Sequence, residues 1–186
     1  MKSDNADRID PANSSSRRQM LAAAAITLGT LATSSALFAA RHQSMTEKQS
    51  TGADATRTSL HQEIDLKASP QKIYEILLDS KRFAAFTSMP ADISRGAGGA
   101  FTMFGGMIVG RNVELVPNQR IVQAWRPASW DPGIYSIVKF ELKGDPSHTT
   151  VILDHTGFPE GDYAHLDPGW HVRYWTPLEK YLANQP

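Results

Sequence analysis

The chain has 186 residues, 41% of them hydrophobic, with 19 basic and 19 acidic side chains and a formal net charge of zero. That length and apolar content fit one packed domain with some additional chain and exclude a disordered polymer, while the even charge leaves no footprint for nucleic acid or for anionic lipid. The absence of cysteine excludes disulfides, a thiolate nucleophile, cysteine-ligated zinc, iron–sulfur clusters and an acylated lipoprotein anchor.

The amino terminus comes first. Arg17 and Arg18 precede an apolar run that begins at Met20, and the next charge is Arg41. Charged, apolar and small-residue regions in that order make an export signal. Ser16-Arg17-Arg18-Gln19-Met20-Leu21 resembles the twin-arginine translocation motif, with Ala22 in place of the Lys often found next. The run is long enough for an uncleaved anchor of roughly 20 residues. Gly29 and five Thr or Ser residues favour cleavage instead, after Ala36 or after Ala40. Residues 1–40 are therefore read as a signal peptide and 41–58, which are polar, as a flexible linker. This reading gives the twin-arginine translocase as a partner during export, a periplasmic or secreted location, and no membrane attachment after cleavage. Once Lys2, Arg8, Arg17, Arg18, Asp4, Asp7 and Asp10 are removed, 15 basic and 16 acidic side chains remain, a net charge of −1.

The folded domain is read as residues 59–184. Leu60, Ile64, Leu66 and Ala68 alternate with charged or polar neighbours, the pattern of a half-buried strand in which Gln62 is the exception. Ser69-Pro70 caps and opens a helix, since proline's missing N–H costs nothing in the first turn. Ile73, Tyr74, Ile76, Leu77 and Leu78 give that helix its apolar face, and a second short helix around 81–87 offers Phe83 and Phe86. Glycines then bracket strands near 100–104, 107–116, 120–126, 135–143 and 149–156, with turns at Pro117-Asn118 and Gly144-Asp145-Pro146. Asp167-Pro168 opens a last helix on which Trp170, Tyr174, Leu178 and Tyr181 form one stripe. Pro177 inside it predicts a bend near 173–177. The fold class is α+β: a curved six-stranded antiparallel sheet, two short helices after the first strand, and a long carboxy-terminal helix across the hollow face.

Period two places the inward side chains. Val151, Leu153 and His155 share a face, as do Ser136, Val138, Phe140 and Leu142, and Ile121, Gln123 and Trp125. With the helix stripe, they give a candidate ligand-binding cavity of Met103, Gln123, Trp125, Ser136, Val138, Phe140, Leu153, His155, Trp170, Tyr174 and Leu178. The plainer alternative is that these aromatics fill the core. His155 is the sole catalytic candidate, and no cofactor is expected. Metal binding is not expected either, because His155, His165, Asp167 and His171 lack a fixed-face spacing. No G-x-S-x-G motif or phosphate loop is present.

Several segments resemble the family named for the activator of heat-shock protein 90 ATPase homologues, within the START-like or SRPBCC helix-grip superfamily. They are residues 68–74, Arg95 with Gly98-Gly99-Ala100-Phe101, residues 113–117, residues 120–125, residues 150–159 and Gly169-Trp170. The resemblance covers residues 59–184 and implies a helix-grip fold with an apolar pocket. It does not by itself imply a heat-shock protein 90 partner, because that chaperone is cytosolic in bacteria and the signal directs this chain elsewhere. The expected function is an exported binding or carrier protein for a small hydrophobic molecule, with catalysis left open. The alternatives are a cyclase- or hydrolase-like enzyme using the same cavity, and a protein-interaction or chaperone-accessory module.

Overall fold

The structure, a computed structural model, describes residues 52–185. The twin-arginine segment, the apolar run and the first part of the linker lie outside the described residues. Residues 52–55 make one helical turn. The chain then docks beside the last helix: the Gly161 N–H donates to the Ala55 carbonyl, and the Arg57 guanidinium lies 3.8 Å from the centre of the Tyr163 ring.

In chain order the elements are β1 (Ser59–Leu66), α1 (Pro70–Leu78), α2 (Ser80–Thr87), β2 (Asp92–Ile93), β3 (Ala100–Met103), β4 (Ile108–Val116), β5 (Arg120–Pro127), β6 (Ser136–Gly144), β7 (Thr149–Thr156), α3 (Tyr163–Trp170), a π-helical turn (His171–Trp175) and α4 (Thr176–Ala183). The sheet has seven strands, not six, in the order β1-β7-β6-β5-β4-β3-β2, all antiparallel. The extra strand is β2. Two residues are too short for alternation to register in a sequence, and only pairing with β3 makes them a strand.

Local chemistry sets the ends of these elements. The Lys72 N–H donates to Ser69 Oγ at 3.2 Å and so caps α1. Asp79 caps α2 by accepting from the Lys81 and Arg82 N–H groups. Each cap satisfies an N–H that a helix leaves open, at about 1 kcal/mol. In β4, a methyl built on Gly110 would overlap the Ala124 carbonyl oxygen and lie 2.5 Å from Phe101 Cζ. Glycine there lets the Phe101 ring lie flat across the strand.

The last helix begins earlier than its sequence signals suggest. Asp162 precedes it, its carbonyl accepting from His165 and Leu166, and Pro168 falls inside α3. Ala164, whose carbonyl Pro168 cannot serve, is exposed, so that carbonyl is not stranded in the apolar interior. Before Pro177 the helix widens by one residue: the Thr176 N–H donates to the His171 carbonyl across the π-turn. Pro177 follows at once as the second residue of α4, so the widened turn is where the helix accommodates its ring and missing N–H.

The last helix lies on the inner face of the sheet. The Phe140 ring centre on β6 is 5.7 Å from Trp170, 6.0 Å from Tyr174 and 6.2 Å from Trp175. The outer face carries charge instead: Lys139 Nζ bridges Glu141 and Asp154, and Asp154 also meets His61.

Candidate functional site

Three polar ties cross the apolar interior, each completed by a tryptophan N–H or a buried amide. Gln62, the polar exception in β1, donates to the carbonyl and the carboxylate of Asp167 at 3.0 and 2.8 Å. Its own oxygen accepts from Trp175 Nε1 at 2.7 Å. On β4, Asn112 donates to the Ser94 carbonyl at 2.8 Å and accepts from Gln123, whose oxygen accepts from Trp125 Nε1 at 2.8 Å.

The third tie runs through His155. Trp170 Nε1 can only donate, and it lies 3.2 Å from His155 Nδ1. Nδ1 is therefore the unprotonated nitrogen, and Nε2–H donates to Ser136 Oγ at 2.7 Å. Burial pushes the imidazole pKa down to about 3. His155 is thus a neutral cross-link between the helix and β6. With both nitrogens engaged, it has no free lone pair or N–H with which to serve as an acid or base.

All eleven residues of the predicted cavity are buried: Met103, Gln123, Trp125, Ser136, Val138, Phe140, Leu153, His155, Trp170, Tyr174 and Leu178. Their aromatic members pack against one another, with Trp125 and Trp170 centred 4.9 Å apart and Trp170 and Tyr174 also 4.9 Å apart. No fully buried side-chain polar atom among the described residues lacks a partner. No three of His, Asp and Glu converge there as metal ligands, and His165 and His171 are exposed.

Open volume lies beside this core. A cleft of about 450 Å³ runs along α3 and the π-turn, between the helix and the loop after β5. Trp125, Trp170 and Tyr174 form its floor; Trp130, Leu166 and Phe104 form its apolar sides. A volume of that size falls in the range of small-molecule sites. Phe104 takes a left-handed backbone conformation, φ 54°, ahead of Gly105 and Gly106, which are also left-handed. For a residue of that bulk the conformation costs on the order of 1 kcal/mol, and it turns the ring against Tyr174 and Phe83.

Two neighbouring donors, Tyr174 and Arg173, line the cleft without a hydrogen-bond acceptor or a carboxylate of their own among the described residues. Tyr174 is 2% exposed, burial alone raises its pKa, and its hydroxyl makes no hydrogen bond among the described residues. Since every fully buried polar atom is satisfied, that hydroxyl keeps its access through the cleft that Tyr174 lines. Arg173, next in chain and exposed, touches only Met107 Sδ at 4.0 Å and makes no ion pair with a described carboxylate. Sequence reasoning reached Trp125, Trp170 and Tyr174 but missed Trp130, Phe104, Leu166 and Arg173. Trp130 sits in a proline- and glycine-bounded loop with no periodicity, and a large aromatic stranded in such a loop is the signal that was available.

The family model described as "Activator of Hsp90 ATPase homolog 1-like protein" matches residues 67–183, and the chain belongs to that family. A protein of Dictyostelium discoideum called activator of 90 kDa heat shock protein ATPase homolog is 31% identical over 117 residues, 62% of this chain and 30% of that protein. Its human counterpart, homolog 1, is 27% identical over 112 residues, 60% of this chain and 33% of its own. The chain thus spans about a third of the length of these relatives. The crystal structure of an HSP90 activator from Plasmodium falciparum superposes with a TM-score of 0.65 at 22% identity, covering 68% of this chain and 97% of that one, which shows the shared fold.

Proposed function

We propose that this member of the Activator of Hsp90 ATPase homolog 1-like family binds a small apolar molecule in the cleft between α3 and the loop after β5. The observation that carries the reading is an open, tryptophan-walled volume of about 450 Å³ beside a core that is otherwise filled. The left-handed Phe104 supports it, because backbone strain is retained where something other than stability depends on it. The test is titration with N-phenyl-1-naphthylamine, a neutral probe that fluoresces in apolar surroundings. Probe emission rises with the native protein and falls away in Ala128→Trp, which fills the cleft from an exposed wall position while leaving the core intact. Equal uptake by the two proteins refutes this site.

The proposed setting is outside the cytoplasm, after cleavage of the segment that carries Arg17 and Arg18. Replacing both arginines by lysine keeps the charge and removes the motif. Cell fractionation then finds the variant retained and uncleaved, whereas export equal to the native chain defeats the assignment.

A second reading has its own support. The relatives are named as activators of a heat-shock ATPase, and Val172 (70% exposed) and Tyr135 (48% exposed) offer apolar surface to a partner. A protein-docking role predicts that the purified domain raises the ATPase rate of a 90 kDa heat-shock protein and that Val172→Asp abolishes the rise. No change in that rate counts against it.

A further inference from the structure

We propose that the cleft selects a lipophilic carboxylate, whose head group is held by Arg173 at the rim and Tyr174 on the floor while its apolar body lies along Trp170, Leu166 and Trp130. This rests on the preceding reading that the cleft takes a small apolar molecule, and it adds the chemistry that such a molecule must carry.

One donor is left over in an otherwise satisfied interior. Every tryptophan N–H of the core has an acceptor: Trp125 in Gln123, Trp170 in His155 and Trp175 in Gln62. Gln62, Asn112, Gln123 and His155 are likewise used. The Tyr174 hydroxyl is the exception. It belongs to a residue 98% buried, yet it has no partner among the described residues. Its one outlet is the cleft, so an acceptor bound there takes the place of solvent on this hydroxyl. Because burial raises its pKa, it stays protonated and acts as a donor throughout the working range.

Arg173 supplies the charge. The two residues are consecutive on the π-turn, one exposed and one buried, and both line the cleft. Phe104 and Met107 stand beside them, with Met107 Sδ 4.0 Å from the guanidinium. A carboxylate accepts from both donors and carries the charge that makes its bond to the guanidinium charge-assisted, whereas a neutral carbonyl or alcohol can accept from the same donors only through ordinary, weaker hydrogen bonds. The one acidic residue lining the cleft, Asp162, precedes α3, eleven residues before Arg173. At the helical rise that is roughly 16 Å along the axis, about twice the screening length of roughly 8 Å at physiological salt. Asp162 and His165 therefore mark the far end of the cleft, and the Arg173 end is electropositive.

The experiment is isothermal titration calorimetry with 2-naphthoate and its neutral isostere naphthalene-2-carboxamide, in low salt, against the native domain, Arg173→Gln and Tyr174→Phe. We expect 2-naphthoate to bind about 5- to 10-fold tighter than the amide, a range set by a charge-assisted contact discounted for an exposed arginine. Arg173→Gln brings the ratio close to one and leaves amide binding unchanged. Tyr174→Phe weakens 2-naphthoate about 5-fold without lowering the melting temperature of the free protein, because the hydroxyl it removes bonds to nothing in the fold. A merely structural tyrosine gives the opposite pattern, a lower melting temperature and unchanged binding, and so overturns the proposal. An amide that binds as tightly as the acid, or acid binding that survives Ala128→Trp, overturns the carboxylate assignment. In the first case N-phenyl-1-naphthylamine uptake still stands and the cleft reading survives. Failure of all three probes removes both.

Discussion

The sharpest test of the interior is the pH dependence of stability conferred by His155. The residue is 1% exposed, accepts from Trp170 at Nδ1 and meets Ser136 Oγ through Nε2. Its neighbours Trp125 and Phe158 are uncharged aromatics, so no carboxylate offsets its burial, and the pKa falls to about 3 from an ordinary 6.5. Protonation would place two N–H groups, those of Trp170 and Nδ1, face to face. The unfolded chain binds this proton near pH 6.5, whereas the folded chain refuses it until about pH 3. The stability that the depressed pKa contributes is therefore complete above pH 6.5 and is lost as pH falls towards the folded value. The slope is about 1.4 kcal/mol per pH unit, or about 2.7 kcal/mol by pH 4.5. Against the stability of an ordinary domain, roughly 5–15 kcal/mol, that loss is large. The assay is urea unfolding at pH 7.5, 5.5 and 4.5 for the native protein and His155→Gln. The variant begins less stable, because Gln does not match the imidazole, but its stability falls less steeply with acid. Exposed His61 works in the opposite direction, its pKa raised by the hydrogen bond to Asp154, and it cancels because both proteins carry it. Parallel curves for the two proteins refute the reasoning, as does an imidazole resonance of His155 that titrates near pH 6 in the native state.

The polar tie at Gln62 predicts that Gln62→Met, similar in volume, lowers stability by about 1–3 kcal/mol in chemical denaturation, because the Trp175 N–H loses its acceptor and Asp167 its donor. Gly110→Ala forces a methyl into the Ala124 carbonyl and the Phe101 ring, and thermal melting should show a loss of about 3 kcal/mol or a failure to fold. Ser69→Ala removes the α1 cap and costs about 1 kcal/mol by the same measurement.

Much of this architecture is legible in the sequence because the relevant forces are local or periodic. The caps at Ser69 and Asp79, the alternation through β6 and β7 and the stripe Trp170–Tyr174–Leu178 depend on near neighbours, and their inward faces follow from period alone. Three features were out of reach for identifiable reasons. β2 exists only as a partner of β3 and has no pattern of its own. The start of α3 was hidden because Asp167-Pro168 imitates a helix opening, and only the long-range hold of Gln62 on Asp167 shows that this stretch is already helix. The bend predicted from Pro177 became a π-turn, a solution that retains hydrogen bonding and presents Tyr174 and Trp175 in succession to the interior. The cleft itself is a long-range product. It needs the loop after β5, the left-handed turn at Phe104 and the π-turn in register, and no single window of sequence contains more than one of them.

That composition has a consequence for how the site is used. One wall of the cleft is the rigid core: the Trp170 indole is fixed by His155, and Trp125 is fixed by Gln123. The other wall is the last residue of β5 and the start of the loop after it, residues 127–130, held by the Ala128 N–H to the Met107 carbonyl at 2.8 Å and by a turn at Pro127–Trp130. Ile134 and Tyr135 in this loop remain exposed. A change in the core wall must break a hydrogen bond that holds the helix to the sheet, whereas a change in the loop wall alters the shape of the cleft at small cost in stability. Substitutions at 128–130 should therefore alter which molecule is bound while sparing the fold, and substitutions at Trp125 or Trp170 should lower binding and stability together.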